Sequence, residues 1–217
     1  MSFYSRHILP HVIDLGLRNR EASHRRAAWI PRATGEVLEI GIGSGLNLPF
    51  YSSEVERVRG VEPSLELQQM ARKRVPQKLR VEFFTQPIEK PLAIEAESID
   101  TVVMTWTLCS LPDVKQAFQQ IKRVLKENGR LLFIEHGLAP DADVVTWQNR
   151  LAPFWKQIAG GCHLNRKIDK LITEAGLQIS ELDTCYLAGP RPLTYTYQGF
   201  ARLLAADKLR TELVGLD

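Results

Sequence analysis

The feature that most constrains this chain is the stretch Glu36 to Asn47, EVLEIGIGSGLN, where an apolar run passes directly into glycines at alternate positions. Val37-Leu38-Glu39-Ile40 has the make-up of a buried parallel strand, and Gly41, Gly43 and Gly45 supply the tight turn that follows such a strand before a helix. Lacking a Cβ, a glycine backbone can approach a ligand closely and adopt positive φ. The spacing narrows the choice of ligand. A dinucleotide fingerprint requires glycine or alanine three positions after the second glycine, where Leu46 stands, and a Walker loop requires a Gly-Lys-Ser/Thr ending that is missing here. An acidic strand followed by alternate glycines suits a nucleoside without phosphates.

The next strand, Val55 to Glu62, ends on an acid 21 residues beyond Gly41. In nucleotide-binding α/β folds an acid at that distance accepts hydrogen bonds from ribose hydroxyls, because a carboxylate offers two acceptor oxygens to the two donors of a diol. Pro63-Ser64 then opens a helix running to about Val75, with Ser64 as N-cap. Arg80–Thr85 reads as a third strand, and Gln86-Pro87-Ile88-Glu89 follows at its ligand-facing end. Ser98–Thr105 is a fourth strand, apolar enough to be buried on both faces, with Trp106–Ser110 as its outlet. A helix from Pro112-Asp113 to Leu125 is expected to close at Asn128-Gly129 before a fifth strand, Arg130–Glu135. Asp141–Gly160 and Arg166–Ala175 read as helices, and Leu177–Leu187 and Tyr195–Ala201 as the last strands.

Strands and helices alternating at this pace predict an α/β fold: a Rossmann-like, doubly wound, mostly parallel seven-stranded sheet with helices on both faces. Before the first strand, Phe3–Ile30 reads as helical pieces broken at Pro10, an N-terminal helical cap that offers Tyr4 and His7 to the site. No repeat or linker divides the 217 residues, so one domain is expected: residues 1–32 as cap, 33–137 as cofactor-binding core, and 138–217 as substrate-side helices and last strands.

The charge balance excludes little by itself. Lys+Arg 28 against Asp+Glu 25 leaves a net +3, which gives no basis for nucleic-acid binding. Arg18, Arg20, Arg25, Arg26 and Arg32 crowd the N-terminal region and read as a solvated helix face, with contact to an anionic substrate or membrane surface as the alternative. The opening segment is interrupted by His7, Pro10, His11 and Asp14, so no integral membrane segment is expected there, while peripheral membrane contact stays open. Cys109, Cys162 and Cys185 cannot all pair and show no metal-ligand spacing, which predicts a reducing, cytoplasmic setting and no metal. The sequence leaves the oligomeric state open.

Taken in order, EIGIGSG, GVEPS, SIDTVVMTWTLCSL and LKENGRLLFIEHG resemble the successive motifs of class I S-adenosylmethionine-dependent methyltransferases, over residues 36 to 137. Further on, EHG, Trp147-Gln148, Pro153-Phe154-Trp155 and GCHLNR resemble the methyltransferase-like 7 group within the type 11 methyltransferases, whose animal members are thiol S-methyltransferases. Unlike that of those members, the opening segment is not expected to act as a hydrophobic anchor. The resemblance implies S-adenosyl-L-methionine as cofactor, with Glu39, Gly41, Gly43, Gly45 and Asn47 around its methionine end. It further implies that Glu62 takes the ribose diol, that Pro63 and Ser64 flank the adenine, and that Gln86, Pro87, Ile88 and Glu89 meet the adenine edge. Thr105, Trp106 and Thr107 would support the sulfonium and amino acid.

The acceptor is expected to be a small molecule, with a thiol leading and a phospholipid amine or a quinone or phenol ring as alternatives. Direct in-line transfer needs a positioned nucleophile and, for a thiol, removal of a proton. His136, just after the fifth strand, and His163, beside Cys162, are the candidate bases, since imidazole titrates near neutrality. Tyr4, Trp147, Trp155, Cys162 and Tyr195 are candidate substrate contacts, and Cys109 reads as a packing residue. Two readings of other classes remain: an NAD-dependent oxidoreductase, and a non-catalytic cofactor-binding protein.

Overall fold

The computed structural model describes residues 4–203. Phe3, where the helical expectation begins, and residues 204–217 of the third segment lie outside the described residues. Seven strands form one sheet: β1 (Gly35–Ile40), β2 (Val55–Val61), β3 (Val81–Phe84), β4 (Ile99–Thr105), β5 (Leu125–His136), β6 (Leu177–Tyr186) and β7 (Tyr195–Leu203). Their order is β3-β2-β1-β4-β5-β7-β6. The first five strands run parallel to one another, and β7 enters between β5 and β6, antiparallel to both. The order reverses between β1 and β4, and a crevice opens at that point outside the carboxyl ends of the strands.

Alternation along the strands divides the core into two layers. Leu38, Ile40, Val102, Met104, Leu131 and Phe133 pack on one face against α4 (Val114–Val124) and α6 (Ile168–Glu174). Val37, Val103, Leu132 and Ile134 pack on the other, against Trp29 and Ile30 and against Ala71 of α3 (Leu65–Arg72). In α4 the apolar positions Ala117, Phe118, Ile121 and Val124 recur at helical spacing and are fully buried. Truncating one such large side chain to alanine costs about 2–5 kcal/mol.

Local chemistry sets the element ends, and several differ from the sequence expectation. Pro10 falls in the first turn of α1 (Leu9–Leu17), directly after a π-helical piece, Tyr4–Ile8, so the helix changes type beside it without an interruption, in a turn where no amide donor is needed. The break comes at Arg18-Asn19, where the Asn19 side chain accepts from Ala22 N at 2.9 Å and caps α2 (Arg20–Trp29). Ser64 caps α3 by accepting from Leu67 N, but that helix ends at Arg72. After the glycine turn there is a single 3-10 turn, Leu48–Phe50. Helix α4 ends at Val124 and β5 begins at once, Leu125 pairing with Ile99; Asn128-Gly129 therefore sits within an irregular stretch of β5. A short helix α7 (Arg191–Thr194) precedes β7.

The arginine cluster divides. Arg18 is exposed and pairs with Asp14 at 3.5 Å, whereas Arg26 is buried. Arg32 stacks over Trp29 and Phe200 and pairs with Glu181 at 2.6 Å. No helix among the described residues is long and apolar enough to cross a membrane.

Candidate active site

At the crevice lies a cavity of about 840 Å³, within the size range of small-molecule sites. One end is built from β1, β2 and the loop after β3. Gly41, at φ +68, is pressed on Thr107, whose Oγ1 would be 2.3 Å from an added Cβ, and Gly45 is pressed on Ala71 of α3. Gly43 differs: an added Cβ there would meet nothing nearer than the Gly41 carbonyl at 3.8 Å, so this glycine leaves room on the cavity side. Glu62, at the end of β2, borders the cavity, with Oε2 accepting from Gly43 N at 3.2 Å and Oε1 from Ser64 N at 2.9 Å. Burial raises its pKa, and the two backbone donors oppose that rise. Gln68 fixes the floor, its Nε2 donating to the Glu62 carbonyl and to Thr85 Oγ1.

Pro63, Pro87, Ile88 and Glu89 continue the wall. Glu89 Oε1 is buried without a hydrogen-bond partner. Such an acceptor requires a donor that the protein does not supply, and the exocyclic amine of an adenine is a donor of the right kind. Together, the uncrowded Gly43 on the cavity wall, the Glu62 carboxylate and the orphaned Glu89 oxygen fit an adenosyl group. Gln86 stands back from the wall and ties its loop by donating to the Pro91 carbonyl at 2.8 Å. Ser64 and Gly45 are also behind the wall.

Beneath the cavity runs a buried polar chain. Arg26 Nε donates to Asn47 Oδ1, and Asn47 Nδ2 donates to Glu39 Oε1 and Thr105 Oγ1. Tyr51 donates to Glu39 Oε2 at 2.8 Å. Burial pushes the Glu39 carboxyl up to about 7 despite these partners and the nearby Arg26, and it pulls Arg26 down to about 10. Glu39 is therefore a support under the glycine turn, while Asn47 and Thr105 reach the cavity wall. Arg26 also lies 4.8 Å from the centre of the Trp106 ring. Trp106 is held at φ +52, a costly conformation for a bulky side chain, by its N–H bond to the Ile134 carbonyl. Thr107, beyond it, lines the cavity.

The other end is assembled from distant pieces of chain. His136 closes β5, Cys109 lies in the loop after β4 and Cys162 follows α5 (Ala142–Ile158); all three are buried and border the cavity. Cys162 Sγ is 3.3 Å from Cys109 Sγ and 3.5 Å from His136 Nδ1. The contact with Cys162, followed by burial, holds the Cys109 thiol well above its ordinary range. The Glu135 carboxylate accepts from the amides of Thr107, Leu108 and Cys109 and so shapes their loop. Arg166 reaches the carbonyls of Leu108 and Leu111, and His163 N donates to the Cys109 carbonyl. Gly137 lets this segment close in, since an added Cβ would meet the Arg166 carbonyl at 2.6 Å.

Helix α1 supplies Leu9, Val12, Ile13, Gly16 and Leu17 to the cavity. Arg74 holds it in place, bonding both oxygens of Asp14 and the Ser44 carbonyl in the glycine turn. Tyr4 and Trp155 also line the cavity, and the Tyr4 hydroxyl donates to the Ile158 carbonyl. Four candidates at this end are not brought to the wall. His7 is exposed and does not border the cavity. Trp147 is 54% exposed on the outer side of α5, under Arg150, because Val144 and Gln148 take the inward positions. Tyr195 packs edge-on against Tyr186 and Tyr197. His163 contributes its backbone to the loop contact, and its ring does not border the cavity. Sequence reading missed Arg26, Cys109 and Arg166, for which no local spacing gives a signal.

The family model described as "Methyltransferase domain" matches residues 38–133. The chain is 34% identical over 150 residues to thiol S-methyltransferase TMT1B of Rattus norvegicus, an alignment covering 67% of this chain and 60% of the relative. It is 28% identical over 175 residues to phosphatidylethanolamine N-methyltransferase of Cereibacter sphaeroides, covering 77% and 82% respectively. Among solved structures, an S-adenosylmethionine-dependent methyltransferase of Methanosarcina mazei superimposes with a TM-score of 0.63 at 22% identity, covering 78% of this chain and 92% of that one. The chain thus spans about 60% of the length of its TMT1B relative.

Proposed function

Because the chain carries an S-adenosylmethionine-dependent methyltransferase domain, we propose that it transfers a methyl group directly to a small thiol. The observation that carries this reading is a single cavity bordered at one end by Glu62 and Glu89 and at the other by Cys109, His136 and Cys162. When bound, the cofactor supplies a methyl group activated by a sulfonium, so the protein needs no covalent nucleophile of its own.

In this reading Glu62 accepts from the ribose diol, and Glu89 Oε1 accepts from the adenine amine. Asn47, Thr105, Trp106 and Thr107 support the amino-acid end. Helix α1 serves as a cap: pinned by Arg74 and apolar toward the cavity, it excludes water from the acceptor's approach. His136 orients the acceptor sulfur or receives its proton. The named activity of the TMT1B relative supports a thiol over other acceptors.

A phospholipid amine is the second reading. It is favoured by the bacterial phosphatidylethanolamine N-methyltransferase relative and by an exposed apolar stripe, Trp147, Leu151, Phe154 and Ile158, on α5. The deciding experiment incubates the full chain with S-adenosylmethionine and either a simple thiol or phosphatidylethanolamine vesicles, and identifies methylated products by mass spectrometry. A methyl thioether is expected; methylated lipid without thioether would transfer the proposal to the amine.

A further inference from the structure

Cys109, His136 and Cys162 come from three separate parts of the chain, the loop after β4, the end of β5 and the segment after α5, yet their sulfur and ring-nitrogen atoms lie within 4.8 Å of one another. Of the two separations from Cys162 Sγ, the 3.5 Å to His136 Nδ1 matches the spacing a tetrahedral zinc ion imposes, and the 3.3 Å to Cys109 Sγ is roughly 0.4 Å short of it, a gap that a small opening of the two side chains closes. With Zn–S near 2.3 Å and Zn–N near 2.0–2.1 Å, such an ion holds its ligands roughly 3.5–3.8 Å apart. All three residues are buried, and all three border the cavity. We infer that Cys109, His136 and Cys162 bind one zinc ion whose fourth coordination position opens into the cavity.

The donor set agrees with that choice of metal. Two sulfurs and an imidazole suit a borderline-soft ion and disfavour magnesium and calcium, which take oxygen ligands. Three protein ligands with one open position is the pattern of a catalytic zinc, in contrast to the closed four-ligand sets of structural sites. The loops are also held in place by protein groups alone. Glu135 gathers three amides of the Cys109 loop, and Arg166 and His163 N tie the Cys162 segment to that same loop. The ligands therefore need little rearrangement to receive an ion.

What the site would do rests on the thiol reading above. An acceptor thiol entering the fourth position displaces water; its S–H bond breaks, the electron pair forms the Zn–S bond and the proton leaves to solvent. A metal-bound thiol is deprotonated outright, so the acceptor stands as a thiolate at neutral pH without a general base. His136 is then a ligand and not a base. Amines and phenols are poorer partners for such an ion, and the site would select sulfur.

The test uses the full chain under reducing conditions. Zinc content is measured by mass spectrometry, cobalt(II) is titrated as a spectroscopic probe, and thiol reactivity is compared with and without zinc. Expected are about one zinc per chain, tetrahedral cobalt bands with thiolate charge transfer, and zinc protection of two of the three cysteines. C109S and C162S should each weaken cobalt binding by about 100-fold or more, given that loss of an outer-shell partner alone costs 10–100-fold; C185S should bind as wild type. Each variant's thermal transition is recorded to show that it folds, and the protection experiment needs no variant. Wild-type protein that takes up no cobalt, or a C185S variant as impaired as C162S, would overturn the site. Zinc bound at this stoichiometry without thioether formation supports the site and removes the thiol reading. Thiol methylation that survives complete metal removal keeps the thiol reading and overturns the catalytic zinc.

Discussion

The two ends of the cavity are built differently. The adenosyl end is largely local: Gly41, Gly43, Glu62 and Glu89 follow one another within 49 residues of chain, each at the end of a strand or in the loop after it. The acceptor end is assembled from α1, the loop after β4, the last residue of β5 and the segment after α5. Short-range geometry specifies the first, while the second depends on loops being stitched together by Glu135, Arg166 and Arg74. One consequence is that the ends should fail independently when perturbed.

Glu62 gives the largest expected effect. E62A removes a buried acceptor that also anchors Gly43 and Ser64, and should weaken S-adenosylhomocysteine binding by about 2–3 kcal/mol, roughly 30–150-fold. Calorimetry reads the affinity, and a retained thermal transition separates it from unfolding. Cys162 is the counterpart at the other end: C162S should lower thiol turnover at least about tenfold while leaving S-adenosylhomocysteine affinity within about twofold. If the two fall together, the ends are coupled and the comparison breaks down.

Glu39 probes the support beneath the adenosyl end through pH. Its carboxyl is raised from 4.5 to about 7 in the folded chain, so the folded state holds a proton that the unfolded chain has lost. That contribution to stability is complete below about pH 4.5 and is lost as pH rises to about 7, a fall of roughly 3 kcal/mol. E39Q should flatten this part of the curve in denaturant titrations between pH 5 and 8; an unchanged slope would show that Glu39 does not titrate there.

Arg74 gives the smallest effect on binding and turnover. R74A releases α1 from the glycine turn and should cost about 1–3 kcal/mol of stability, in keeping with loss of charged hydrogen bonds. It should raise the KM for the acceptor more than that for the cofactor. Equal changes in both would assign α1 to the adenosyl end.

The same contrast explains what could be read from sequence. Strands such as Val37–Ile40 and Ile99–Thr105 were legible because burial on both faces demands continuous apolar runs, and the seven-stranded, mostly parallel sheet follows from their alternation with helices. Helix ends were less legible: Pro10 reads as a break, yet the first turn of a helix tolerates it, and Asn128-Gly129 reads as a stop although β5 has already begun. Arg26 looks like part of a solvated face because its partners Asn47 and Trp106 are remote in sequence. Cys109 and Cys162, 53 residues apart, carry no spacing signal, and only the folded loops bring them to His136. Trp147 was misplaced for the opposite reason, since aromatic content in α5 does not say which side of the helix faces inward.

The central claim is that this cavity methylates sulfur. The most direct measurement is product identification from the wild-type chain with S-adenosylmethionine and an equimolar mixture of a simple thiol, an amine and a phenol. The account predicts the methyl thioether as the dominant product, formed together with S-adenosylhomocysteine; a methylated amine or phenol with no thioether, from protein that binds the cofactor, would contradict it.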